Sequence, residues 1–211
     1  IEMLKDVDAY PTWAISNHDS PRVASRLGAE ESRALALFLF ALPGSCYVYN
    51  GQELGLPDAE VADSDRQDPS FLRTNGETKG RDGARVPMPW SGQESPFGFS
   101  SGKPWLPLPA TWKDLTVESQ INDKESSLSL YKSTLSERAK LLGANDFTWD
   151  LSRIDQGILG FSRGGIQVYL NSGDKSVKLQ ASEIILSSSG SQNLLNGELE
   201  LMPRRAIWFK R

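Results

Sequence analysis

The sequence predicts an α/β portion followed by a small antiparallel all-β domain, with the change near residue 143. Three observations carry this reading. Two short apolar runs, Thr12 to Ser16 and Ser45 to Tyr49, flank one apolar helical pattern. A long proline-rich stretch without apolar periodicity leads to a second helical pattern that stops at Gly143. From Asn145 onward, short alternating runs separated by turn residues replace helical spacing.

The first run, TWAIS, ends in the polar cluster Asn17-His18-Asp19, which reads as a buried strand delivering polar groups to its C-terminal end. Ser20-Pro21 opens a short helical turn through Arg26, because the fixed φ of proline suits a first helical position. Glu30 to Leu42 follows as a helix, with acids in its first turn favoured by the helix dipole and Pro43-Gly44 closing it. It is apolar nearly all round from Ala34 to Phe40, so it must pack on more than one side. Ser45 to Tyr49 is the second strand, with Gly51 and Gly55 bracketing Glu53 after it. Strand, crossover helix and strand imply parallel pairing with a right-handed connection.

Residues 51–125 hold most of the twelve prolines and half of the six tryptophans. A connection this long in a compact domain is a functional loop or contains short irregular elements. Trp90 and Trp105 read as anchors of that loop rather than as stacking platforms, since large aromatics dominate packing. Ser127 to Leu142 is expected as an amphipathic helix with Leu128, Tyr131, Leu135 and Leu142 on one face, capped by Asp123 or Ser126 and ended by Gly143. Five strands follow: 158–163, 166–171, 177–180, 183–186 and 205–210, with Gly164-Gly165 as a hairpin turn.

Composition excludes several classes of function. A chain with 38% hydrophobic and 24% charged residues is globular rather than disordered. A net charge of −4 with scattered basic residues argues against nucleic acid and membrane surfaces as partners. The longest apolar stretch, Ala34 to Leu42, falls well short of the roughly 20 residues a membrane span needs. The one cysteine, Cys46, allows neither an intrachain disulfide nor a cysteine-based zinc site; in its apolar run it reads as a buried, inert thiol. That fits a reducing, cytoplasmic compartment. No acidic cluster has ligand spacing, so no metal and no other cofactor is expected. The chain starts at Ile1 with no initiator Met and no signal-peptide pattern, and it reads as a piece of something longer.

The only histidine, His18, stands between Asn17 and Asp19. Either Asp19 caps the following turn and His18 is a satisfied core residue, or the three line a site. Arg22 and Arg85 are candidate clamps for hydroxyls or carboxylates, because a guanidinium presents several donors in a fixed fork. Ordinary ion pairing explains them equally well. Arg81 and Asp82 share that ambiguity, with Arg85 ranked first in their loop.

The blocks TWAISNHDSPR, ALPGSCYVYNGQELGLPD, RQDPSFLRTNG, GRDGARVPMPWSG and FGFSSGKPWLPLP follow one another in this order. Together they resemble the α-glucosidase and oligo-1,6-glucosidase branch of the α-amylase superfamily (glycoside hydrolase family thirteen), its actinobacterial members in particular. The resemblance implies the last part of a (β/α)8 TIM barrel over residues 1–143, with a long active-site loop at 51–125, and a β-sandwich-like C-terminal domain over 144–211. It also implies a retaining mechanism whose nucleophile and acid/base carboxyl groups lie upstream of this chain. Asp19 then corresponds to the third carboxylate, a transition-state stabiliser, and His18 to a hydrogen-bond donor on the same sugar ring. Asn17 would position them, Arg85 and Arg22 would bind substrate, and Glu53 would be a structural glutamate pairing with loop residues.

The implied function is that of a fragment of a retaining α-glucosidase acting on short oligosaccharides. Its partners would be an oligosaccharide or α-glucoside substrate and the missing N-terminal part of the same enzyme, and the 211-residue chain alone would be inactive. Two barrel strands by themselves would leave an unpaired edge and an apolar face open. The alternatives are a non-catalytic amylase-like subunit or sugar-binding relative, and a family transglycosylase or isomerase of the trehalose-synthase kind.

Overall fold

The computed structural model describes residues 1, 4, 9–190 and 192–211. Its contacts divide into two units, one made of Ile1–Trp13, Glu30–Tyr47 and Leu130–Arg211 and the other of Ala14–Ala29 and Val48–Ser129. In chain order the helices are α1 (Val23–Leu27), α2 (Ala29–Ala41), α3 (Pro69–Arg73), α4 (Val117–Gln120) and α5 (Ser127–Lys140). The strands are β1 (Thr12–Trp13), β2 (Ser45–Cys46), β3 (Thr148–Asp150), β4 (Ile158–Arg163), β5 (Ile166–Asn171), β6 (Val177–Gln180), β7 (Glu183–Ser187), β8 (Glu198–Leu201) and β9 (Arg205–Lys210). No helix among the described residues is long and apolar enough to cross a membrane.

In the first unit β1 and β2 pair in parallel, Thr12 opposite Ser45 and Trp13 opposite Cys46, as the crossover requires. Both are shorter than expected. Thr12 to Ile15 alternate between exposed and half-buried, and only Ser16 is buried, so the expected buried strand is replaced by a two-residue pair. Each strand has one strand neighbour among the described residues, and an isolated two-stranded pair has little to extend it. α2 meets its expectation of burial on several sides: Ala34, Ala36, Leu37, Phe38 and Phe40 are all buried. The carbonyls at its C-terminal end accept from two guanidinium groups. Arg138 donates to Phe40, Leu42 and Gly44, and Arg163 donates to Ala41 at 2.9 Å and to Leu141 at 3.1 Å. Cations here satisfy carbonyls the helix cannot, and the dipole favours them. Cys46 is half-buried, and burial pushes its thiol pKa up despite the charges of Arg138 and Arg163.

The C-terminal strands form an antiparallel sheet in the order β3-β4-β5-β9-β7, with β6 and β8 as a separate antiparallel ribbon. β4, β5, β6 and β9 have the expected bounds, and Gly164 and Gly165 both take the left-handed φ of a two-residue hairpin turn. β3 and β8 were not expected, because three- and four-residue alternations are too short to stand out. β9 is apolar on both faces for a reason. Ile207 and Phe209 pack with Leu179, Leu199 and Leu201 of the ribbon, while the Trp208 indole donates to the Leu37 carbonyl of α2 at 2.9 Å. Phe38 of α2 meets Phe161 of β4 edge-on at 5.1 Å.

α5 starts as expected, with the Ser126 hydroxyl accepting from the Ser129 amide at 3.1 Å. Its buried face is rotated from the expected one: Leu130, Tyr131 and Thr134 are buried, whereas Leu135 and Leu142 are exposed. Thr134 fits a buried position because its hydroxyl donates to the Leu130 carbonyl at 2.7 Å, which apolar spacing cannot anticipate.

The second unit is built from the long proline-rich stretch. It contains one-turn helices and 3-10 turns, yet Leu54, Leu56, Phe97, Leu106 and Trp112 join in one buried cluster. Trp112 is the tryptophan that anchors it. Trp90 and Trp105, expected as anchors, are about half exposed, at 49% and 50%.

Candidate active site

The segment after β1 carries Asn17, His18 and Asp19, all exposed. The Asn17 side chain accepts from the Asp19 amide at 2.8 Å, so the cap of this turn is Asn17 and the Asp19 carboxylate is left for other partners. His18 is no core residue: its side chain is 66% exposed, and its Nε2 stands 3.4 Å from Asp19 Oδ2.

Two arginines from the 81–85 turn converge on Asp19. Oδ1 accepts from Arg81 Nη1 at 2.7 Å and from Arg85 Nη2 at 3.0 Å. Arg85 also donates from Nε to the His18 carbonyl at 2.8 Å, so one planar fork spans main chain and carboxylate together. Partial desolvation works against the Asp19 charge, but His18, Arg81 and Arg85 outweigh it and the carboxyl titrates below the usual aspartate value.

Arg81 is itself held from behind. The side chain of Asp68, fully buried, accepts from Arg81 Nε at 2.8 Å and from the Arg81 amide at 2.9 Å, and it caps α3 through the Ser70 amide at 2.8 Å. The bonds from Arg81 and Ser70 overcome burial and hold the Asp68 carboxyl well below the usual range. Asp82, also buried, accepts from the amides of Gln67 and Asp68 at 2.8 and 3.0 Å, which fixes Asp68 in turn. Gly80 makes this approach possible. Its φ is +72°, and a Cβ there would sit 2.6 Å from the Asp68 Cβ.

Arg22, expected as a clamp on substrate, is instead 1% exposed. Its Nη1 donates to the Asn50 carbonyl at 2.7 Å, and its guanidinium lies over the Tyr49 ring at 5.0 Å. Burial pushes its pKa down, against the opposing influence of Tyr49, Asp58 and Glu53. Glu53, expected to pair with loop residues, has its Oε2 buried without a hydrogen-bond partner. Burial raises its pKa, with the amides of Glu53 and Gly51 and the charge of Arg22 acting in opposition.

The structure thus brings together Asn17, His18, Asp19 and Arg85, and it removes Arg22 from the exposed surface. Sequence reasoning ranked Arg81 behind Arg85 and missed Asp68. The only sequence signal for Asp68 was Asp-Pro as a helix start, and nothing linked it to an arginine 13 residues away. Among the described residues no group of three or more His, Cys, Asp and Glu side chains is arranged to hold a metal ion.

The α-amylase catalytic-domain family model matches residues 2–143. An oligo-1,6-glucosidase from Parageobacillus thermoglucosidasius is 30% identical over 148 residues, covering 59% of this chain and 26% of its own length. A probable α-glucosidase from Rhizobium meliloti is 36% identical over 148 residues, covering 65% of this chain and 27% of its own. The chain therefore spans about a quarter of these curated relatives. The crystal structure of an α-glucosyl transfer enzyme superposes with a TM-score of 0.77 at 30% identity, over 99% of this chain and 43% of that one. With the family model covering most of its length, this chain belongs to the α-amylase family.

Proposed function

We propose that this chain is the C-terminal part of a retaining α-glucosidase that hydrolyses α-glucosidic bonds in short oligosaccharides, and that Asp19 is its transition-state stabiliser. The observation that carries this is the exposed Asp19 carboxylate, fixed on one oxygen by Arg81 and Arg85 and open on the other beside His18. A carboxylate fixed in this way accepts sugar hydroxyls and favours positive charge developing on the ring as the glycosidic bond breaks. Fixing it in advance removes reorganisation from the reacting step. Arg85 and Arg81 line the same surface and offer donors to the sugar, while Asn17 shapes the turn. The curated glucosidases at 30–36% identity support this substrate class.

A retaining reaction also needs a nucleophile and an acid/base, about 5 Å apart. Asp68 cannot serve as either, since it is buried and committed to Arg81. We assign both roles to carboxyl groups of the longer parent protein. Residues 1–143 are read as the closing part of its barrel and 144–211 as its C-terminal β domain, a limit supported by the end of the family match at 143.

The test is turnover of p-nitrophenyl α-glucoside. The full-length protein should hydrolyse it and the 211-residue chain should not; clear activity of the chain alone would sink the fragment reading. Transglycosylation is a second reading, favoured by the α-glucosyl transfer enzyme that aligns over nearly the whole chain. Transfer products from maltose, isomaltose or sucrose in excess of free glucose would select it.

A further inference from the structure

Behind Asp19 a single aromatic ring ties together the two segments that form the clamp. The Tyr49 hydroxyl donates to the Ala84 carbonyl at 3.0 Å. Ala84 is buried and directly precedes Arg85 in the 3-10 turn Asp82–Arg85, so this bond anchors the turn next to the residue that reaches Asp19 and the His18 carbonyl, while the Ala59 amide holds the Gly83 carbonyl at 3.0 Å. On its face the same ring carries the Arg22 guanidinium at 5.0 Å, and Arg22 lies three residues after Asp19. Arg22 is pinned further by the Asn50 carbonyl at 2.7 Å and, through its own amide, by Asp58 Oδ1 at 2.9 Å.

We propose that Tyr49, backed by Arg22, is a positioning residue that sets Arg85 on Asp19. It touches no substrate and acts through the turn it holds. Two features set this arrangement apart from ordinary packing. Arg22 is buried with Nε and Nη2 lacking hydrogen-bond partners, which makes it a poor stabiliser; what it supplies is a fixed place for the ring. The chain also keeps room for it. Gly51 has φ +80°, and a Cβ there would lie 3.1 Å from Arg22 Nη1 and 2.5 Å from Leu56 Cδ1. The geometry closes a circuit from Asp19 through Arg85, Ala84, Tyr49 and Arg22 back to the segment bearing Asp19.

This inference rests on the reading of Asp19 as the stabilising carboxylate. Its test is a double-mutant cycle in the full-length protein, with Tyr49→Phe, Arg85→Ala and the pair assayed on p-nitrophenyl α-glucoside beside Asp19→Asn. Tyr49→Phe keeps the ring and removes one hydroxyl. It should lower kcat/KM by about tenfold, mostly through kcat and at a nearly unchanged Tm, and it should cost nothing further once Arg85 is gone. Independent losses that multiply in the double variant would overturn the proposal, because Tyr49 would then act by another route. An inactive Asp19→Asn beside an unaffected Tyr49→Phe would overturn it alone, whereas near-normal Asp19→Asn would remove the reading of Asp19 and this inference with it. Arg22→Met should reproduce the Tyr49→Phe loss; if it fails to fold, the cycle still decides.

Discussion

The buried carboxylate of Asp68 holds Arg81 twice, through the side-chain Nε at 2.8 Å and through the main-chain amide at 2.9 Å. The second nitrogen end of the same guanidinium reaches Asp19 at 2.7 Å. A buried anion thereby fixes the cation that fixes the exposed anion. Because Asp68 lacks other freedom, the geometry at Asp19 is set inside the fold rather than on its surface.

Asp68→Asn removes the charge that holds Arg81 Nε at 2.8 Å and faces Arg85 Nη1 at 3.8 Å, so it should loosen Arg81 on Asp19 most and Arg85 less. We expect a loss of about tenfold in kcat/KM, as for one charge-assisted contact. The pH dependence of stability carries a sharper signature. The folded-state pKa of Asp68 lies below its ordinary value of 3.8, so its stabilisation is present above that value and is lost as pH falls toward the folded pKa. The variant should show a flatter fall in Tm below about pH 4; parallel Tm-against-pH curves for the two proteins would refute this.

Asp19→Asn keeps size and loses charge. As the proposed stabiliser of charge developing on the ring, Asp19 predicts for this variant of the full-length protein a drop in kcat of about a thousandfold with a smaller change in KM. Steady-state kinetics on an aryl α-glucoside would show it, and near-normal rates would remove Asp19 from the mechanism.

Gly80→Ala places a methyl group where the Asp68 Cβ would be 2.6 Å away, on a backbone at φ +72°. The added carbon must displace Asp68 and with it Arg81. We expect reduced kcat/KM together with lower Tm, the strain being on the order of 1 kcal/mol or more. Unchanged kinetics at lower Tm would separate Gly80 from the site.

The C-terminal strands carry a carboxylate network of their own. The Tyr169 hydroxyl donates to Asp150, Ser152 donates to the same carboxylate, and Arg211 approaches it at 3.3 Å. The bonds from Ser152 and Tyr169 overcome burial and pull Asp150 down to about 2, while burial and the bond to Asp150 push Tyr169 up to about 12. Asp150 therefore stabilises the fold above its ordinary 3.8, and that contribution disappears as pH falls through about 2. Tyr169→Phe should cost about 1–2 kcal/mol at neutral pH and less near pH 2, measured by urea denaturation.

Elements with strong local codes were legible in the sequence. The apolar run of α2, the Gly-Gly turn between β4 and β5 and the alternation of β6 each follow from spacing and backbone preference, and their bounds agree within a residue. The face of α5 was misread, because a threonine that satisfies its own hydroxyl takes a buried place that spacing gives to leucine. Trp90 and Trp105 were misread as anchors for a related reason: within a loop, aromatic content does not reveal which ring finds the core.

By itself the sequence determined the α/β-then-β order, the parallel crossover and the placing of Asn17-His18-Asp19 after a strand, since these depend on periodicity and on residues close along the chain. Only the tertiary structure decided what surrounds Asp19. Arg81 and Arg85 come from more than 60 positions away, Asp68 is known as their support only by its burial, and Arg22 changes from clamp to strut once its guanidinium is seen beneath Tyr49. A charged side chain carries the same letter whether it is solvated, paired or buried, and long-range packing alone chooses among the three.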